Sequence, residues 1–153
     1  MKIESLLIPS RVLCRIEATS KKQALEILAG IIAKDISAID ADALFRRFMA
    51  RERLGSTGIG YGIAIPHCSI EEYTGATGAL ITLVQPVNFD AIDSQPVDIL
   101  FAMLVPEAAH GEHLKNLAAL ANAMNNAQFR QQLRDAHNDA TLYQAETALG
   151  KTI

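Results

Sequence analysis

Cysteine is scarce in this 153-residue chain: Cys14 and Cys68 stand alone, too few for a disulfide framework and without metal-ligand spacing. Long apolar runs are missing too, since no stretch approaches the roughly 18 consecutive apolar residues that span a bilayer. The first residues bring an acid at Glu4 and lead only to a brief apolar run over 6–9, so no secretory signal is expected. These absences predict a cytoplasmic protein with no membrane insertion. An excess of one charge is lacking as well. A formal net charge of −3 offers no broad cationic surface to nucleic acid or anionic lipid, and it suits a partner with a basic docking face. Internal repeats, low-complexity tracts and linkers are also missing, which predicts one domain over residues 1–153.

What the chain does have is apolar content. Half of its residues are hydrophobic and a fifth are charged, enough to bury a core without disulfides or metals. Val12, Leu13 and Ile16 predict a short strand over residues 11–17. Ser20, three residues before Gln23, forms a capping-box pattern, and Leu25, Leu28, Ile31 and Ile32 follow at helical spacing to about Lys34. A second helix is expected from Asp40 through Arg53, with Leu44, Phe45, Phe48 and Met49 on one face and Arg46, Arg47 and Arg51 toward the other. Gly55 is expected to end it in left-handed geometry. Apolar runs over 79–84 and 97–104 predict strands covered on both faces. Three helices then follow, over 110–123, 129–133 and 139–149. Strands interleaved with helices imply an α/β fold, a three-layer sandwich with a central mixed sheet flanked by helices.

Residues 55–62 read Gly-Ser-Thr-Gly-Ile-Gly-Tyr-Gly. No lysine lies between Gly55 and His67, which excludes a Walker A loop. The glycine spacing also misses the dinucleotide fingerprint, because Gly58 and Gly60 lead to Ile63, and Gly60 and Gly62 to Ile65. Two readings stay open here: a turn between helix and strand, or a cradle in which the amides of Gly58 and Gly60 and the hydroxyls of Ser56 and Thr57 meet a ligand. The apolar Ile63-Ala64-Ile65 then delivers Pro66 and His67 to a strand's carboxyl end, where α/β sheets place ligands. His67 by itself is either a structural histidine or a nucleophile able to accept a phosphoryl group.

The run from Arg51 to His67, Arg-Glu-Arg-Leu-Gly-Ser-Thr-Gly-Ile-Gly-Tyr-Gly-Ile-Ala-Ile-Pro-His, resembles the IIA proteins of the bacterial phosphotransferase system. It looks like their nitrogen-related regulatory branch, with fructose- and mannitol-type IIA domains as cousins. The likeness continues through Phe89-Asp-Ala-Ile-Asp-Ser-Gln-Pro-Val-Asp98, through Val105-Pro106 and through His113-Leu114, covering most of the chain. The resemblance implies a phosphohistidine at His67, charged by a histidine-containing phosphocarrier protein, with no cofactor and no metal. It also implies Arg51 beside the phosphoryl group, where a guanidinium fork fits its oxygens, and His113 as a second histidine near the acceptor. Ser56, Thr57 and the loop amides are expected to screen the oxygens during transfer. Cys68 and Tyr61 depart from the family pattern, where a small glycine and an Asn or His are common.

No second domain accompanies the motif within these residues, which favours regulatory target proteins in nitrogen or potassium control over a sugar-specific transport role. Two rivals from other classes are a pure interaction module and a zinc protein. The second rests on His110-Gly-Glu-His113 with His67 or Cys68, a pattern that misses His-Glu-x-x-His.

Overall fold

The computed structural model describes the backbone of residues 3–106 and 110–150, and the side chains of residues 5–106 and 115–147. After two 3₁₀ turns the chain forms β1 (Val12–Ile16), α1 (Lys21–Asp35) and α2 (Ala41–Leu54). Four strands come next, β2 (Gly58–Gly60), β3 (Ile63–Ala64), β4 (His67–Cys68) and β5 (Thr77–Val87). The last strand is β6 (Val97–Leu104), followed by α3 (His110–Met124), α4 (Ala127–Asp135) and α5 (Asp139–Gly150).

The strands make one mixed, open sheet in the order β1-β5-β6-β3-β2, with β4 also pairing β6. Strand β1 runs parallel to β5, β5 antiparallel to β6, β3 and β4 parallel to β6, and β2 antiparallel to β3. Alternation along the central strands sorts side chains into two cores. Ala79, Ile81, Leu100, Ala102 and Leu104 join Leu25, Leu28, Ile32, Leu44 and Phe48 of α1 and α2. On the other face, Leu80, Ile99, Phe101 and Met103 meet Leu120, Met124, Phe129, Leu133 and Leu142 of α3–α5. The expected three-layer α/β arrangement with a mixed sheet is what forms.

Three local expectations need correction. Ser20 Oγ accepts from Gln23 N as a cap should, but Gln23 Oε1 accepts from Thr19 N at 2.6 Å rather than from Ser20, which moves the box back one residue. Gly55 does not enter the left-handed helical region. Its φ of 158° and ψ of 142° carry the chain straight out toward β2. The stretch read as a turn or cradle contains a strand, because Gly58 and Gly60 pair with Ala64 and Ile63 across a tight connection.

Candidate functional site

Strands β3 and β4 are one strand interrupted by Pro66. Ile63 faces Ile99, Ala64 faces Leu100, His67 faces Met103 and Cys68 faces Leu104, so the register against β6 is the same on both sides of the proline. Pro66 has no N–H to give the ladder, yet its carbonyl still accepts from Met103 N at 2.8 Å. His67 is thereby carried to the carboxyl-terminal end of the sheet, half-buried, with α2 packed alongside.

The ring orientation follows from the backbone. Ile65 N donates to Thr57 O at 3.0 Å, while the Ile65 carbonyl lies 2.8 Å from His67 Nδ1. A carbonyl only accepts, so Nδ1 is the donor in this bond and the lone pair of the neutral ring sits on Nε2. The fold itself selects the tautomer.

His67 opens into a surface cleft of about 410 Å³, lined with Arg47, Ala50, Arg51, Leu54, Cys68, Ser69 and Val105. Ala50, Leu54 and Val105 make part of its lining apolar. The two arginines stand at i and i+4 on one face of α2. Arg51 Nη1 donates to Gly55 O at 2.8 Å and Arg47 Nε to Ser69 O at 3.0 Å. Among the described residues neither has a carboxylate partner, although Arg46 on the same helix is paired with Asp42 at 2.9 Å. Two cations without a carboxylate partner among the described residues therefore line the cleft with the imidazole.

Of the residues expected at this site, the structure brings His67 and Arg51 together. Ser56, Thr57, Gly58 and Gly60 do not line the cleft. Ser56 Oγ donates to Phe89 O at 2.8 Å and accepts from Gly58 N. Thr57 Oγ1 donates to Glu52 Oε1 at 2.6 Å, and Thr57 N reaches the same carboxylate at 3.0 Å. The expectation that these hydroxyls face a phosphoryl group gives way to an inward role, because Glu52 is only 7% exposed and its charge needs donors. Lys21 supplies one more at 3.3 Å and bridges to Asp90. Gly58 is required by close approach, since a Cβ there would lie 2.7 Å from Ala91 Cβ. His113 lies in the α3 segment whose side chains are outside the described residues, as does His110.

Arg47 is the residue that sequence reading missed. Its signal was present, a second arginine one turn before Arg51, but the periodicity placed it only on the helix's polar face. Cys68, on the strand next to His67, packs against the α1–α2 core. Burial pushes its thiol up to about 12, with the Arg47 guanidinium pulling weakly the other way. That thiol stays protonated and is no nucleophile at neutral pH. Among the described residues no group of three His, Cys, Asp or Glu side chains is placed to hold a metal ion.

The family model described as phosphoenolpyruvate-dependent sugar phosphotransferase system, EIIA 2, matches residues 5–146. The chain is 44% identical over 144 residues to a nitrogen regulatory protein of Pseudomonas aeruginosa, covering 94% of each. To a nitrogen regulatory protein of Escherichia coli it is 45% identical over 134 residues, covering 87% of this chain and 82% of the relative. Among solved structures it is similar to nitrogen regulatory protein IIA-Ntr from Neisseria meningitidis, with a TM-score of 0.88 at 36% identity, covering 94% of this chain and 97% of that one.

Proposed function

The chain belongs to the EIIA 2 family of the phosphoenolpyruvate-dependent sugar phosphotransferase system, and from that premise we propose that it is a regulatory phosphoryl carrier whose acceptor is Nε2 of His67. One observation carries this reading. Nδ1 donates its N–H to the Ile65 carbonyl and keeps that proton, so the lone pair is on Nε2, in a cleft that Arg51 also lines.

The donor is a histidine-containing phosphocarrier protein. Its N–P bond breaks as the Nε2–P bond forms in line, and the electron pair of the broken bond returns to the donor's ring nitrogen. The Arg51 guanidinium, anchored on Gly55 O, offers its remaining N–H groups to the phosphoryl oxygens as charge passes between the rings. The proton that Nδ1 keeps holds the phosphorylated ring cationic, hence a good leaving group, so the carrier can hand the group on. No metal is needed, because neither reactant is a polyphosphate.

Phosphorylation adds about −1.5 to −2 charge beside two arginines and converts a cationic patch to a nearly neutral one. A partner protein that docks on one form is repelled by the other, which is how the carrier addresses regulatory targets. The relatives named as nitrogen regulatory proteins support a regulatory rather than a sugar-specific role.

The test is incubation with the phosphocarrier, its kinase and labelled phosphoenolpyruvate. Wild type should gain acid-labile label and His67→Ala none. Equal labelling of both proteins, or no labelling of wild type, would overturn the proposal.

A further inference from the structure

Arg47 lines the same cleft as His67 and Arg51, and nothing in the transfer described above uses it. Three features of its setting bear on what it does. Its side chain is anchored through Nε to Ser69 O at 3.0 Å, which fixes the guanidinium plane and leaves the Nη edge with N–H donors to spare. It has no carboxylate partner among the described residues, whereas Arg11, Arg46 and Arg134 each have one. And it stands one helical turn from Arg51 on the side of α2 that faces the acceptor strand. Glu71 and Glu72 share a neighbouring depression with Arg47, yet neither forms an ion pair with it.

We propose that Arg47 is a second phosphoryl-oxygen ligand, binding through its Nη edge the group that His67 carries while its Nε stays on Ser69 O. The inference rests on His67 being the acceptor and says what happens to the group once it is there. A phosphoryl group on nitrogen spreads its charge over several oxygens, and two guanidiniums on one helix face can hold two of them at once. The field of Arg47 already reaches the strand that carries His67, since it lowers the pKa of the half-buried Cys68 thiol against the larger effect of burial. The consequence is functional: a second cation shifts the exchange with the donor toward the phosphorylated carrier and lengthens the life of the regulatory state.

Three proteins test this: wild type, Arg47→Gln and Arg47→Lys, each charged by the phosphocarrier and its kinase. If wild type takes no acid-labile label, the acceptor reading fails and this inference fails with it. With wild type labelled, Arg47→Gln should lower the phosphorylated fraction at equilibrium with the donor by about tenfold, the size of one charge-assisted contact. Arg47→Lys should recover only part of that fraction. An unchanged equilibrium and an unchanged ³¹P shift in Arg47→Gln would overturn the role of Arg47 while leaving the acceptor reading intact. A role confined to fastening Ser69 would move thermal stability and leave both of those readouts where they were. Should Arg47→Gln not fold, wild type alone decides the matter. The Arg47 Nη resonances must shift when His67 is phosphorylated, and resonances that stay in place exclude contact.

Discussion

The Cys68 thiol sits one residue past the His67 imidazole, and burial against the α1–α2 core pushes it from its ordinary 9.0 up to about 12. Two expectations follow at this scale. At pH 8 iodoacetamide should modify Cys68 at least about a hundredfold more slowly than a free thiol, because the reactive thiolate is nearly absent. Peptide mass mapping reads the rate, and rapid alkylation of the native protein contradicts the burial argument. The second expectation concerns stability. The folded chain keeps a proton that the unfolded chain releases above pH 9, so this contribution is complete below pH 9 and is lost as pH rises toward 12. Denaturation midpoints of Cys68→Ala should therefore fall less steeply than those of wild type across that range. His67 shows the same principle in another form: one backbone carbonyl, that of Ile65, sets which ring nitrogen is nucleophilic.

At the scale of elements, the α2–β2 connection is held by a carboxylate rather than by its glycines. Glu52, in the last turn of α2, accepts from the backbone and hydroxyl of Thr57 and from Lys21. Glu52→Ala removes all three contacts and leaves buried donors unsatisfied, so it should cost about 3 kcal/mol, measured by urea denaturation. A cost below about 1 kcal/mol would mean that water replaces the carboxylate freely. The connection also positions the cleft, because Arg51 Nη1 bonds to Gly55 O at the point where the chain leaves the helix. Gly58→Ala tests the packing side of the same element. Its Cβ would meet Ala91 Cβ at 2.7 Å and Cα at 3.0 Å, and the overpacking should cost roughly 1–3 kcal/mol in the same assay.

Across the whole molecule, the sheet separates two clusters by the length of β6. His67 faces Met103 near one end, while the Gly62 carbonyl accepts from Asp98 N and Ile99 N near the other. At that far end Arg134 of α4 grips Asp98 with bonds of 2.8 and 2.9 Å and donates to Tyr61 O at 2.7 Å. The Arg130 guanidinium lies over the Tyr61 ring, 4.3 Å from its centroid. This fastens the helical layer to the β2–β3 connection, where Tyr61 holds a φ of 58°. Arg134→Ala should lower stability by about 1–2 kcal/mol, a value already reduced for its partial exposure, and leave the phosphorylation rate of His67 unchanged. A large loss of transfer activity in a folded Arg134→Ala protein would show that the two ends are coupled. The sequence by itself determined the helices, the two long strands, the α/β class and the family, since local periodicity and the 51–67 run carry them. It could not assign the hydroxyls of Ser56 and Thr57, which turn inward to Phe89 and Glu52. Nor could it show that Arg47 reaches Ser69, 22 residues away, and shares a cleft with His67. Those facts belong to the tertiary structure alone, because sheet register and the docking of α2 bring together partners that no local pattern links.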